Sequence, residues 1–153
     1  MVMSYKGAAI AKEPDSKAQA VAVADWMSTR LITFSPDQPI HEVIDELLKN
    51  KISGGPVIDQ EGHLCGVVSE GDCLKELIKG KYNNSPQMSG TVSEHMATNV
   101  VTIEPTVNIF EAANRFLTLR LRRLPVVQYG KLIGQISQRD IMRAVQSMRS
   151  STW

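Results

Sequence analysis

Apolar positions along the chain follow two periodicities, and each occurs twice. Ile40, Val43, Ile44, Leu47 and Leu48 recur at the three- and four-residue spacing of one helix face. Ile109, Ala112, Ala113, Phe116 and Leu117 repeat that spacing later. A short extended run precedes each predicted helix, Leu31-Ile32-Thr33 or Val100-Val101-Thr102. Asp37 and Thr106 stand at equivalent positions between run and helix, where a side-chain oxygen can accept an unpaired N–H as N-cap. After each helix comes a β-branched strand, Pro56-Val57-Ile58 or Pro125-Val126-Val127. A glycine turn, Glu61-Gly62 or Tyr129-Gly130, then leads into a second strand over 63–69 or 131–137. A last helix is expected near Asp72 and near Asp140, with apolar residues Leu74, Leu77 and Ile78, or Ile141, Met142 and Val145.

The two halves are copies of one unit. With Met27 laid on Met96, Thr29 meets Thr98, Pro36 meets Pro105, Ile40 meets Ile109, and Pro56 meets Pro125. One residue drops out near Gln60, in a predicted turn, where a repeat tolerates a gap. Beyond it Gly66 meets Gly134, Ser69 meets Ser137, and Asp72 meets Asp140. Residues 1–19 match neither copy and form an N-terminal extension. The first repeat is read as 20–80, a polar Gly/Ser/Asn/Pro linker as 81–90, the second repeat as 91–149 and a tail as 150–153. Each unit alone is too small to cover its sheet. The expected fold is α/β (α+β): two β-α-β-β-α repeats packed sheet to sheet about a pseudo-twofold axis.

Composition narrows the possible functions. The chain has 153 residues, 42% of them hydrophobic, and a net charge of +1. No apolar run approaches the roughly 20 residues of a membrane helix, and no signal peptide is evident, so a cytoplasmic protein with no membrane partner is expected. Aromatic residues are 5% of the chain, too few for base stacking, which argues against nucleic acid as a partner. Cys65 and Cys73 are expected to be reduced thiols, a single disulfide being the alternative that the fold does not need, and with His63 they fall short of the four ligands of a zinc site, so no metal is expected. His41, His63 and His95 are isolated and do not recur between the repeats. No nucleophile elbow, P-loop or His-Glu-x-x-His sequence occurs, and a non-enzyme is expected.

Chemistry concentrates in the segment Gly-x-x-Ser-x-x-Asp, present as Gly66-Val67-Val68-Ser69-Glu70-Gly71-Asp72 and as Gly134-Gln135-Ile136-Ser137-Gln138-Arg139-Asp140. A carboxylate there can accept two hydrogen bonds, as from the paired hydroxyls of a ribose, and the helix N-terminus beside it suits phosphate. Helix capping explains the same residues without a ligand. Charge distinguishes the copies. The first repeat is acidic and the second basic, with Arg122, Arg123 and Arg139 in its motifs where the first has Ser53, Gly54 and Gly71. Guanidinium forks suit phosphate oxygens, which makes the second repeat the better anion site. Alternatively these arginines form a solvated face, or pair with first-repeat acids of another subunit.

Together with Met27-Ser28-Thr29, Met96-Ala97-Thr98, Gly55-Pro56-Val57-Ile58 and Arg123-Leu124-Pro125-Val126-Val127, these segments resemble a tandem pair of CBS domains, a Bateman module, over residues 23–148. The resemblance implies a stand-alone regulatory sensor, usually a homodimer, that binds an adenosine-containing ligand in the cleft between repeats and signals to a partner protein not identified by the sequence. AMP, ADP or ATP is the implied ligand. S-adenosylmethionine or NAD, or a ligand-free interaction dimer, are the alternatives. The implied nucleotide site comprises Thr98, Val100, Thr102, Arg122, Arg123, Pro125, Ser137, Arg139 and Asp140. A second, weaker site comprises Thr29, Leu31, Thr33, Ser53, Pro56, Ser69 and Asp72. In both, the aspartate would hold ribose, the serine would assist near phosphate, and the lead-in main chain would face adenine.

Overall fold

The computed structural model describes residues 21–82 and 89–151. Repeat 1 contains α1 (Val23–Trp26), α2 (Ile40–Asn50), β1 (Gly54–Ile58), β2 (Leu64–Ser69) and α3 (Glu70–Tyr82). Repeat 2 returns the same order as α4 (Val92–His95), α5 (Ile109–Leu119), β3 (Arg123–Gln128), β4 (Lys131–Ser137) and α6 (Gln138–Ser151). Each repeat is built on an antiparallel hairpin, β1 with β2 or β3 with β4. Each hairpin carries a register shift at the equivalent place, Val57/Ile58 or Val126/Val127. The expected mixed α/β architecture is present.

Two local expectations are corrected. The extended runs at 31–33 and 100–102 form no ladder. Contact with the hairpin is a single parallel bridge one residue later, Phe34 to Val57 and Ile103 to Val126. Phe34 N–H donates to Pro56 O and Ile58 N–H to Phe34 O. The next rung would require an N–H from Pro56, or from Pro125 in repeat 2, and proline has none. The N-caps are also displaced: α2 is capped at Pro39 and α5 at Asn108, whose side chain accepts from Phe110 N–H at 2.7 Å. Asp37 and Thr106 instead lie in the turns before those helices.

The core is divided in two, and each half borrows from the other repeat. Ile40, Val43, Leu47, Phe34, Val57 and Val68 are buried together with Val92 of the second lead-in, and Met96 packs on them. Ile109, Ala112, Phe116, Leu124, Val126 and Ile136 are buried together with Val23 of the first lead-in, backed by Trp26 and Met27. Backbone pairing follows the same exchange: Ser28 bridges Gln135 on β4, and Ala97 bridges Val67 on β2. Gly66 and Gly134 allow it, because a Cβ on Gly66 would lie 2.5 Å from Ala97 O, and one on Gly134 would lie 2.6 Å from Met27 Sδ. The hairpin tips also meet, with Leu64 N–H on Gly130 O and Leu132 N–H on Gly62 O. Leu48 and Leu117 were expected on the buried helix face but are 74% and 77% exposed, at the edge of their stripes.

Candidate functional site: the cleft between the repeats

At the strand-to-helix turn, Ser69 N–H and hydroxyl both donate to Asp72 Oδ2, at 2.8 and 3.2 Å. Ser137 does the same to Asp140 Oδ2 at 2.8 and 2.9 Å, and Asp140 N–H returns a bond to Ser137 Oγ at 3.2 Å. In repeat 2 this is a capping box with aspartate in the third helical position. The second oxygen of Asp140 takes Arg143 at 2.7 Å, and that of Asp72 lies 3.8 Å from Lys75 Nζ. Each carboxylate therefore serves its own helix first. A ribose would have to share its remaining lone pairs.

A cleft of about 250 Å³ opens between the repeats, close to the range of small-molecule sites. Ser53, Gly54, Gly55, Pro56, Val67 and Ser69 line it from repeat 1, and Arg122, Arg123, Pro125 and Gln135 from repeat 2. Several of these are repeat equivalents: Ser53 with Arg122, Gly54 with Arg123, Pro56 with Pro125, Val67 with Gln135. The cleft therefore straddles the pseudo-twofold axis. Its apolar walls are Pro56, Pro125 and Val67, and its cationic rim comes from repeat 2 alone. Arg122 and Arg123 are exposed, so their guanidinium groups reach solvent at the mouth.

The other expected site residues lie elsewhere. Thr98, Val100 and Thr102 line a separate cavity of about 190 Å³ with Leu64, Cys65, Val127 and Gly130. Burial pushes the Cys65 thiol up, with a smaller push from Asp59, so the thiol there is neutral. Arg139 lines an outer groove beside α6 with Met142, Val145 and Arg149. Thr29 and Thr33 are exposed and Leu31 is half-buried on the first lead-in. The structure thus joins Ser53, Pro56 and Ser69 of one expected site to Arg122, Arg123 and Pro125 of the other, and parts them from Arg139. Val67 and Gln135 were not among the expected site residues. The two-residue period of a strand was the available signal, since it places them on the same face as Ser69 and Ser137.

Cys65 and Cys73 are free. His63 has carboxylate neighbours rather than thiols, with Asp59 Oδ2 and Glu61 Oε1 each 3.5 Å from Nδ1 at the hairpin tip. Among the described residues no helix is long and apolar enough to cross a membrane.

The model of the CBS domain matches this chain twice, over residues 23–79 and 92–147. The chain belongs to the CBS-domain family. A CBS pair is a regulatory domain rather than a catalytic one. CBS domain-containing protein YhcV of Bacillus subtilis (strain 168) is 30% identical over 132 residues, 86% of this chain and 89% of that protein. Protein MJ1225 of Methanocaldococcus jannaschii is 25% identical over 125 residues, and the chain spans 43% of its length. Among solved structures, CBSX2 in complex with AMP is 31% identical, with a TM-score of 0.71, covering 85% of this chain and 99% of that one. CBSX2 comes from Arabidopsis thaliana. The CBS pair of MJ0100, in complex with 5′-methylthioadenosine and S-adenosyl-L-methionine, is 26% identical with a TM-score of 0.66, covering 83% of this chain and 97% of that one.

Proposed function

We propose that this chain is a non-enzymatic, cytoplasmic sensor that binds an adenine nucleotide (AMP, ADP or ATP) between its repeats and passes the signal to a partner protein. The observation that carries this reading is the central cleft, with apolar walls for a base and paired arginines at the mouth for phosphate. CBSX2 with AMP, and MJ0100 with adenosine-based ligands, support the ligand class. Phosphate is assigned to Arg122 and Arg123. Ser53 and Ser69 face them with neutral hydroxyls. The Thr98–Thr102 cavity and the Arg139–Asp140 turn lie outside the cleft and have no part in this assignment. The protein acts as a homodimer, and nucleotide shifts the population between dimer shapes.

The test is a thermal-shift series with AMP, ADP, ATP, NAD and S-adenosylmethionine. At about 100 times Kd a ligand adds roughly 2.7 kcal/mol, which for a domain of this size raises Tm by roughly 5–10 °C. The expected result is such a rise with one adenine nucleotide, lost in Arg122→Ala/Arg123→Ala. A rise with S-adenosylmethionine alone would move the assignment to that ligand. No rise with any of the five would favour a second reading, a ligand-free interaction dimer, for which the exposed Leu74, Leu77 and Met142 speak. An unchanged rise in the double variant would remove phosphate from those arginines.

A further inference from the structure

Each repeat carries an outer groove on its last helix, walled also by α2 in repeat 1 and by α6 alone in repeat 2, and the two share the equivalent positions Cys73 with Ile141, Leu74 with Met142 and Leu77 with Val145. The groove of repeat 1, about 470 Å³, is lined by Leu47, Leu48, Leu74 and Leu77, with Glu70 as its charged residue. That of repeat 2, about 450 Å³, is lined by Met142 and Val145, with Arg139, Arg143 and Arg149. Leu48, Leu74, Leu77 and Met142 are all more than half exposed, an apolar surface unusual on a monomer. The volumes are similar, so size does not favour one pairing over the other.

Charge decides between the two. With like groove on like groove, the arginine-lined groove of repeat 2 would face its own copy, bringing Arg139 towards Arg139, and Glu70 would face Glu70. With unlike grooves facing, Glu70 meets the arginines. The surrounding helices agree. α2 and α3 carry six acids and four lysines, whereas α5 and α6 carry two acids and four arginines. Of those two acids, Asp140 takes Arg143 and Glu111 takes Arg115, so Arg139 lacks an acid within its own groove.

We infer that two copies of this chain pair head to tail, the Leu74 groove of each receiving the Met142 groove of the other. The inference rests on the homodimer proposed above and fixes its orientation. The arrangement is isologous and closes: both grooves of both copies are covered and no groove is left to propagate a fibre. Like-charge juxtaposition across an interface is repulsive, which disfavours the alternative.

Single-cysteine probes test it. Leu74→Cys and Met142→Cys are made separately in a Cys65→Ala/Cys73→Ala background, because Cys73 lines the Leu74 groove, and are treated with a short bismaleimide. The head-to-tail dimer predicts cross-linking only when the two variants are mixed and allowed to exchange. Self-cross-linking of each variant alone would overturn the orientation and leave the dimer standing. A dimer by light scattering with no cross-link in any combination would place the interface elsewhere and overturn the inference. A monomer at all concentrations would overturn the dimer itself. As an independent arm, Arg139→Glu/Arg143→Glu is expected to weaken dimerisation about tenfold, with partial recovery on adding Glu70→Arg. No recovery would count against the unlike pairing.

Discussion

Glu76 has 3% of its side chain exposed, and a carboxylate stripped of water needs other groups to replace its hydration. His95 Nε2 stands 2.5 Å from Oε1, and Gly90 N–H donates to Oε2 at 3.1 Å. A Cβ on Gly90 would fall 2.5 Å from Oε1, so glycine is what lets that N–H approach. Burial works to raise the Glu76 pKa, but the bonds from His95 and Gly90, helped by Lys79, overcome it and hold the pKa below the usual carboxylate value. A carboxyl lowered on folding adds stability above its unfolded pKa and loses it as pH falls through the folded one. Urea unfolding across the acid range is therefore expected to show a shallower pH slope in Glu76→Gln than in the native protein. At neutral pH, His95→Ala leaves a buried charge short of its main partner and is expected to cost about 3 kcal/mol; a cost below about 1 kcal/mol would show that Gly90 and water suffice. The equivalent positions hold Ala144 and Trp26, so this link from α3 of repeat 1 to the lead-in of repeat 2 has no counterpart in the other direction, and no periodicity in the sequence marked it.

At the scale of elements, the strand-to-helix turn of repeat 2 is held by a reciprocal capping box between Ser137 and Asp140. Ser137→Ala is expected to cost about 1 kcal/mol by chemical denaturation, because it removes a bond to Asp140 and the acceptor for Asp140 N–H. The helices, hairpins and glycine turns were legible in the sequence because each is dictated by residues near one another. Errors arose where a neighbour in space decided. The helix starts slipped past Asp37 and Thr106 because a turn intervenes, with Gln38 N–H on Ser35 O and Val107 N–H on Glu104 O. The lead-in strands shrank to a bridge because their partner there is a proline. Leu48 and Leu117 had the right spacing for burial but lie where the helical layer ends. The site was half legible: the motif segments held most of its residues, but the sequence assigned them to two separate sites, and only the folded arrangement shows which of them share a cleft.

Across the whole molecule, the exchange of lead-ins makes the repeats interdependent. Trp26 is next to repeat 1 in sequence and packs on the core of repeat 2. In a Trp153→Phe variant, which leaves Trp26 as the only tryptophan, its fluorescence and the far-UV circular dichroism of the chain are therefore expected to lose their native signals in one coincident urea transition. A fluorescence change clearly separated from the dichroism would mean that the two cores melt apart. Gly134→Ala would force Met27 and Ser28 O away from β4 and is expected to cost about 1–3 kcal/mol. The same crossing has a mechanical consequence. Val23 N–H donates to Val107 O, and Ile109 N–H to Val21 O, so the chain enters the fold anchored on the second repeat although the first repeat follows it in sequence. Force applied to the chain through Val21 would load repeat 2 before repeat 1, and a fluorophore attached at Val21 would report on the far half of the molecule.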